Sequence, residues 1–194
     1  NDRAFTRAVN EYRAGAYEVD VISIPAYYAY DMNREGMLTP YFAPNRNDYP
    51  QGTYDPKGYW MAQYITLTCF AWNTDRISAE EVPNTWQELG DPKYNGRFSL
   101  DLEDDRLLWF WRKVFGEEAG TQLARAVAAN NPIMFNSRSQ QMAQLSAGEF
   151  DMAPSMFQHN AIRYIEEGAP ADFKYLEGPV LVNVQAQMLP AKAP

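Results

Sequence analysis

Apolar residues recur along the chain in two alternating patterns, one typical of helices and the other of buried strands. Apolar positions spaced by about 3.6 residues predict a helix over 1–15. A short, nearly all-apolar run at 19–24 predicts a strand of the kind buried in a parallel sheet. A second helical stretch at 26–34 completes an αβα order, which indicates an α/β layer architecture.

The same alternation returns after residue 58. The proline-rich segment 39–58 is predicted to be a loop. The aromatic and β-branched segment 59–73 predicts either one long strand or two strands in succession. Beyond it we predict strands at 97–102, 133–135 and 150–153 and helices at 105–115, 117–129, 138–147 and 156–167. This order indicates a second α/β layer.

Composition narrows the class of protein. The 194 residues are 46% hydrophobic and 22% charged, which is the balance of a globular chain. The net charge of -8 argues against binding to nucleic acid, because neutralising phosphates needs a basic face. Aromatic residues reach 14%, so we expect some of them to line a cleft. No apolar run is long enough to predict a membrane span.

Cysteine and histidine each occur once, as Cys69 and His159. A single cysteine excludes an intrachain disulfide and the C-x-x-C motifs of metal and redox sites. A single histidine excludes zinc sites that need two or more histidines. Cys69 lies between Thr68 and Phe70 in a predicted strand, which favours a buried thiol over a reactive one.

The stretch FNSRSQQMAQLSAGEFD at 135–151 has two serines and an arginine between a predicted strand and a predicted helix. Ser137 and Gln140 have the S-x-x-Q spacing of a helix capping box. The junction also follows a predicted parallel strand, where open α/β sheets bind ligands. Arg138 and Ser139 add donors suited to an anion. The stretch is therefore a cap alone, or a cap and half of a site in which Arg138 and Ser139 face solvent or ligand.

Two further groups follow predicted strands. The candidate stretch 155–159 (SMFQH) comes after the strand at 150–153, and His159 is either a ligand or an ordinary surface histidine. Tyr27 and Tyr28 come after the first strand, where a tyrosine at a sheet edge can contact a ligand. The alternative is that these two are only partly exposed while Tyr30 packs inward as helix core.

An acidic group lies just before a predicted helix, at Asp101, Glu103, Asp104 and Asp105. Paired carboxylates can act as general acid and base. Acidic side chains at this place are also stabilised by the positive end of the helix dipole. A hydrolase is therefore a rival hypothesis, with Asp101 and either Glu103 or Asp104 as its catalytic pair. The sequence has no G-x-S-x-G, P-loop, G-x-G-x-x-G or H-E-x-x-H motif to support an enzyme.

Four stretches resemble the type II periplasmic solute-binding proteins of ABC importers, in the branch that includes ferric-iron, thiamine, polyamine and phosphonate binders. The most specific is FAWNTDRI at 70–77 followed by VPNTWQELGDPKYNGRFSLDLE at 82–103. The others are AGAYEVDVISIP with REGMLTPYFAP, SQQMAQLSAGEFDMAPS, and EEGAPADFKYLEGPVLVNVQAQMLPAKAP. The resemblance extends over nearly the whole chain.

The resemblance implies an α/β fold of two lobes that close over a ligand by hinge bending. Residues 1–72 would form part of the first lobe with a crossing strand, residues 73–180 the second lobe, and residues 181–194 a return strand toward the first. Family members have further segments on both sides of the matching part. We therefore expect a fragment whose first lobe is incomplete.

The resemblance also implies a function. The protein would capture a small anionic or zwitterionic organic solute, or a metal complex, and deliver it to an ABC permease in the inner membrane. It would be periplasmic, monomeric and not an enzyme, with no cofactor, no protein-bound metal and no nucleic-acid partner. The candidate ligand-binding residues are Tyr27, Tyr28, Tyr64, Asp101, Ser137, Arg138, Ser139, Phe157, Gln158 and His159.

Ferric-binding members of the family usually carry adjacent tyrosines after the strand that matches 150–153. This chain has Phe157 and Gln158 at that place, with Tyr164 farther along the helix. The difference disfavours iron as a directly bound ligand. Ferric-iron binding stays an alternative, with Tyr28 and His159 as its candidate metal ligands.

Overall fold

Helices and strands alternate along most of the chain, as the spacing of apolar residues predicts. The computed structural model describes residues 2–102 and 104–193. The helices are α1 (Asp2–Arg13), α2 (Tyr28–Arg34), α3 (Asp105–Phe115), α4 (Glu117–Ala129), α5 (Arg138–Ser146) and α6 (Gln158–Glu166). The strands are β1 (Ile22–Pro25), β2 (Leu38–Thr39), β3 (Met61–Asn73), β4 (Ser99–Asp101), β5 (Ile133–Phe135), β6 (Met152–Phe157), β7 (Ala171–Lys174) and β8 (Val182–Pro190). Within the described ranges, each helix is too short or too polar to traverse a bilayer.

The chain divides into two compact units, with boundaries after Thr66 and after Val182. Unit 1 contains α1, α2, β1, β2, the first part of β3 and nearly all of β8, and unit 2 contains the remaining elements. Both boundaries fall inside strands, so β3 and β8 each run from one unit into the other. Segment 59–73, predicted to be either one long strand or two strands in succession, contains a single strand, β3.

Unit 1 is built on β8, which pairs antiparallel with both β1 and β2. Ile22 of β1 lies opposite Met188, and Leu38 of β2 lies opposite Pro190. The apolar faces of these strands and of the two helices exclude water together, which is what stabilises elements this short. The buried core residues are Val9, Ile22, Ile24, Ala29, Met32, Met37, Leu38, Ala186 and Met188.

The prediction of a buried parallel strand at 19–24 is wrong in both its bounds and its orientation. β1 begins at Ile22 and is antiparallel to β8. Val19 and Val21, which made the run look fully buried, are exposed. The direction of pairing depends on β8, which lies near the other end of the chain, so a local apolar run cannot specify it.

Unit 2 contains strands that run in the same direction. β4 pairs in parallel with β5, with Ser99 opposite Ile133. A parallel bridge between Phe98 and Met152 links the start of β4 to β6. β3 is antiparallel to β6 and to β7. The carboxyl ends of β4, β5 and β6 therefore lie at one edge of the layer, as parallel strands require.

Helices cover both faces of this layer. Phe70 and Trp72 of β3 pack in a core with side chains of α3 and α4. Cys69 and Ala71, the alternate positions, pack in a second core with side chains of α5 and α6. Because side chains alternate along a strand, the apolar run at 69–72 in the later part of β3 is explained by burial on both faces.

The amino end of β6 is held by Asp151, a buried carboxylate that pairs with two arginines. Arg76 Nε donates to Oδ1 at 2.7 Å, and Arg97 Nε donates to Oδ2 at 2.5 Å. The Asp151 main-chain N–H also donates to the carbonyl of Arg97 at 2.9 Å. A carboxylate is stable at a buried position only when its charge is matched, so these contacts fix where β6 begins.

Helices α3 and α4 approach closely at Gly120. A β-carbon at this position would lie 2.4 Å from the main-chain nitrogen of Arg112 and 2.5 Å from the carbonyl carbon of Trp111. Both are main-chain atoms of α3, which cannot rotate away as a flexible side chain can. The close packing of the two helices therefore depends on the missing side chain.

We expect Gly120→Ala to lower the free energy of unfolding by about 1–3 kcal/mol, because the added methyl overpacks the contact. The expected sign is opposite to the stabilisation that alanine ordinarily gives over glycine inside a helix. Ala128→Ser, on an exposed part of α4, is the matched control and should change stability by no more than about 0.5 kcal/mol. Urea denaturation measures both. Equal stability of Gly120→Ala and the parent would contradict the prediction.

Cys69 is buried in β3, which confirms the prediction of a buried thiol. Its exposed fraction is 2%. Burial raises the pKa of the Cys69 thiol to about 12, because an apolar environment disfavours the thiolate. The thiolate is the reactive form, so both access and ionisation are restricted.

We expect Cys69 to react with iodoacetamide roughly a hundredfold or more slowly in the folded chain than in the chain unfolded by guanidinium chloride. Mass spectrometry at mildly alkaline pH counts the alkylated fraction over time. Similar rates in the two states would show that the thiol is accessible and ionised in the folded chain.

Candidate functional site

Three chain segments meet where β4, β5 and β6 end. We call this group the strand-end edge: Asp101, the last residue of β4, with Asp104 after it, residues 136–139 after β5, and Phe157, the last residue of β6, with residues 158–159 after it. The parallel direction of the three strands brings these segments together, and a helix begins directly after each of them. The helices α3, α5 and α6 therefore present their amino ends, the positive ends of the helix dipoles, at this edge.

Ser137 caps α5, which confirms the capping prediction. Its backbone is extended, with φ -154° and ψ 120°, and its hydroxyl accepts from the main-chain N–H of Gln140 at 3.4 Å. Ser139 is exposed. Its carbonyl accepts from the phenol of Tyr164 at 3.2 Å, which joins α5 to α6.

Arg138 does not face solvent, so that half of the expectation is wrong. Its side chain is 9% exposed and its guanidinium donates to the carboxylate of Asp104, which is 5% exposed. It also donates to the carbonyl and, at 3.3 Å, to the hydroxyl of Ser155. A buried guanidinium is stable only when its charge is matched and its N–H groups have acceptors. Asp104 matches the charge, and Asp104 and Ser155 provide acceptors.

Ser155 lies inside β6 and not after it. The strand was predicted to end at residue 153, but it continues to Phe157, and Ser155 is fully buried. Its hydroxyl donates to the second carboxylate oxygen of Asp104. The same oxygen accepts the main-chain N–H of Asp101 at 2.9 Å. Asp104, Arg138 and Ser155 thus form a closed, hydrogen-bonded group, which we call the Arg138 network.

The amino end of α6 differs from that of α5. Its N-cap residue, Phe157, has no side-chain cap hydrogen bond. The Phe157 ring lies 4.2 Å from the guanidinium carbon of Arg138, in a cation–π contact. The ring of His159 stacks on Phe157 at 5.7 Å and is exposed, and Gln158 is half-buried. This helix end offers donors to a ligand, with Gln158 and His159 beside them.

Within the acidic group, Asp104 is not a side-chain cap of α3. Asp104 is the N-cap residue of α3, but its carboxylate makes no capping bond and is directed to the Arg138 network. Asp101 is buried at the end of β4. Glu103 lies outside the described residues. Over the described ranges, no three His, Cys, Asp or Glu side chains gather in a way that could hold a metal ion.

The tyrosine candidates lie in unit 1. Tyr27 is 52% exposed, and Tyr28 is half-buried between the ring of Phe5 and that of Tyr27, each at 4.4 Å. Tyr30 is 74% exposed, so the interpretation of Tyr30 as helix core is wrong. Tyr64, on the part of β3 in unit 1, is also exposed. Exposed phenols of this kind can stack on a ligand or donate to it.

The role of Asp104 as counterion of Arg138 is the main feature that sequence reasoning missed. Asp104 had been considered only as a cap or a catalytic acid, and Ser155 only as the first residue of the candidate stretch 155–159. No local pattern could have shown the pairing, because Asp104 and Arg138 are 34 positions apart. Only the side-by-side order of β4, β5 and β6 brings them together.

Comparison with known protein families identifies the family of this chain. The sequence profile of the bacterial extracellular solute-binding proteins matches residues 20–165. The chain belongs to this family. No curated protein sequence matches the chain. The family is one of binding proteins, and the expectation drawn from the sequence resemblance is confirmed at this level.

Solved structures of similar fold cover nearly all of the chain. Iron-bound HitA from Pseudomonas aeruginosa has a TM-score of 0.85 at 18% identity, over 98% of this chain and 65% of HitA. AfuA from Actinobacillus pleuropneumoniae, with fructose-6-phosphate bound, has a TM-score of 0.81 at 20% identity, over 98% and 63%. IdiA (FutA) from Trichodesmium, with iron and citrate, has a TM-score of 0.80 at 16% identity, over 100% and 66%.

These likenesses confirm the predicted fold class, the α/β fold of the periplasmic binding proteins. The chain spans 63–66% of the length of these three proteins. Sequence identities of 16–20% support a shared fold and do not identify the ligand of this chain. The lobe boundaries and the ligand-binding residues named above stay predictions.

We expect Asp104→Asn to lower the free energy of unfolding by about 3–5 kcal/mol, because it leaves the buried guanidinium of Arg138 without a counterion. Asp75→Asn, at an exposed position of the same unit, is the matched control and should change stability by at most about 0.5 kcal/mol. Guanidinium denaturation followed by tryptophan fluorescence compares the two. A loss below about 1 kcal/mol for Asp104→Asn would mean that the ion pair contributes no more than an exposed one.

Proposed function

We propose that this protein is the solute-binding component of an ABC importer, which captures a small solute and delivers it to a membrane permease. The match to the bacterial extracellular solute-binding family over residues 20–165 carries this proposal. The strand-end edge supports it, because open α/β layers bind ligands outside the carboxyl ends of their strands. A periplasmic location and a monomeric state belong to the same proposal.

The solute is proposed to be a small anionic or zwitterionic organic molecule. The helix amino ends at the strand-end edge attract negative charge. At the amino end of α6, the side chain of the N-cap residue makes no capping hydrogen bond. Gln158 and the exposed His159 and Ser139 add polar side chains. Tyr27 and Tyr64 are exposed and stay candidate ligand-binding residues of unit 1 by itself. AfuA binds a sugar phosphate and IdiA holds citrate, and both ligands carry oxyanions.

Ferric iron is the second candidate, because HitA and IdiA were solved with iron. Phenolate oxygens would be its natural ligands in a chain with few histidines. In unit 2, however, Tyr94 is buried and donates to the Glu81 carbonyl, and the phenol of Tyr164 donates to Ser139. Neither phenol is free to bind a metal without losing its partner. Tyr175, also in unit 2, is 39% exposed, so the preference for an organic solute rests on Phe157 and Gln158, which stand where ferric-binding members of the family usually carry adjacent tyrosines.

The hydrolase hypothesis has less support. Both carboxylate oxygens of Asp104 already accept hydrogen bonds, so this residue is poorly placed to exchange a proton with a substrate. The family to which the chain belongs consists of binding proteins. If Asp101 were nevertheless catalytic, turnover of a substrate would be detected and Asp101→Asn would abolish it.

We expect calorimetry to detect saturable binding of at least one member of a panel of small organic anions, zwitterions, amines, thiamine-like compounds and ferric complexes. The protein under test is the full-length chain. Binding of a ferric salt alone, with a colour that Tyr28→Phe removes, would favour the iron alternative. A panel with no binder at all would contradict the proposed function.

We expect Gln158→Glu to weaken binding of an anionic solute by about tenfold or more, because it places a negative charge at the amino end of α6, where the solute's own charge would lie. The substitution is nearly isosteric and suits a helix amino end, so stability should be retained. Gln122→Glu, on the exposed face of α4, is the matched control. Calorimetry of the three proteins decides, and equal affinities would remove α6 from the site.

A further inference from the structure

Arg138 touches the first residues of three helices. It is itself the first residue of α5, and its guanidinium pairs with Asp104, the N-cap residue of α3. The same guanidinium lies over the ring of Phe157, the N-cap residue of α6. Its remaining described contacts are to Ser155, in the strand that leads into α6. One side chain therefore connects all three helix starts at the strand-end edge.

The charge of Arg138 is already matched within the protein. Asp104 is even more buried than Arg138, and its second oxygen is held by the Ser155 hydroxyl and the Asp101 amide. A solute that took Arg138 as its own partner would leave a buried carboxylate without a counterion, which is strongly unfavourable. The resting arrangement thus opposes a direct salt bridge between Arg138 and a solute.

We propose that Arg138 is a positioning residue, which holds the amino ends of α3, α5 and α6 in place for a solute that it does not itself contact. This inference rests on the proposed function, and it specifies how the solute is recognised. Oxyanion or other polar acceptor groups of the solute are met by neutral donors, main-chain N–H groups and polar side chains, and not by the Arg138 guanidinium.

The first test needs no solute. Hydrogen exchange followed by NMR measures the second-turn amides of α3, α5 and α6 in the full chain. We expect Arg138→Met to speed exchange by about tenfold or more in all three helices, and Arg138→Lys, which keeps a charge for Asp104, to recover part of the protection. Arg125→Met, on the exposed face of α4, is the control and should leave exchange unchanged.

The pattern of protection separates positioning from a local structural role. Faster exchange confined to α5 would mean that Arg138 stabilises only its own helix, and it would overturn the inference. No difference between Arg138→Met and Arg138→Lys would also overturn it, because the charge pairing would then contribute nothing. Circular dichroism selects a temperature at which every variant is folded, and Arg138→Lys keeps the test valid if Arg138→Met does not fold.

The second test uses inorganic phosphate as the probe, with binding followed by the amide shifts of His159 and Asn160. If Arg138 positions the site, Asp104→Asn weakens phosphate binding about as much as Arg138→Met does, and the double variant is no weaker than either single variant, because all three disrupt one network. If Arg138 contacts phosphate directly, Asp104→Asn frees the guanidinium and strengthens binding. The two ideas therefore predict opposite signs for the same variant.

The two tests also separate this inference from the proposed function. A wild-type protein that shows no saturable shift with phosphate, and no binding in the solute panel, counts against the proposed function. The exchange measurement still decides whether Arg138 holds the three helix ends. Stronger phosphate binding by Asp104→Asn counts against the inference alone.

Discussion

The ion pair between Arg138 and Asp104 is the interaction on which the strand-end edge depends. Both side chains are nearly inaccessible to solvent, so each charge is tolerable only because the other is present. The two residues follow different strands, and Ser155, which completes the network, lies in a third. The placement of any one strand end is therefore conditional on the other two. The site is a cooperative unit, not three independent loops.

β6 is held by a buried carboxylate at each end. Asp151, at its amino end, is bound by Arg76 and Arg97, and Asp104 meets Ser155 near its carboxyl end. A shift of β6 along its neighbours would separate both carboxylates from their partners at once. Side-chain alternation would also move its buried residues to the wrong face. Charge matching and apolar burial therefore specify the same register, and this register places Phe157 at the start of α6.

Local features were predictable from the sequence, and long-range ones were not. The bounds of α3, α4 and β5 follow from apolar spacing, and the Ser137 cap follows from a four-residue motif, because all of these depend on neighbours within a few positions. The orientation of β1 was wrong because it depends on β8. The predicted environment of Arg138 was wrong for the same reason, because it depends on residues that are distant in the sequence. An arginine beside two serines at the start of a helix is typical of an anion-binding site. Only the order of the strands shows that the carboxylate of Asp104 already pairs with this arginine.

The solitary thiol of Cys69, hidden among the apolar side chains of β3, has a practical consequence for the study of this chain. Because cysteine occurs nowhere else, the exterior carries no competing nucleophile of this type. A cysteine introduced at an exposed position such as Ser139 would be the one site that accepts a maleimide dye. A fluorophore could then be attached at the strand-end edge itself without first removing the native thiol. The packing that makes Cys69 inert thus leaves the wild-type sequence ready for conversion into an optical sensor.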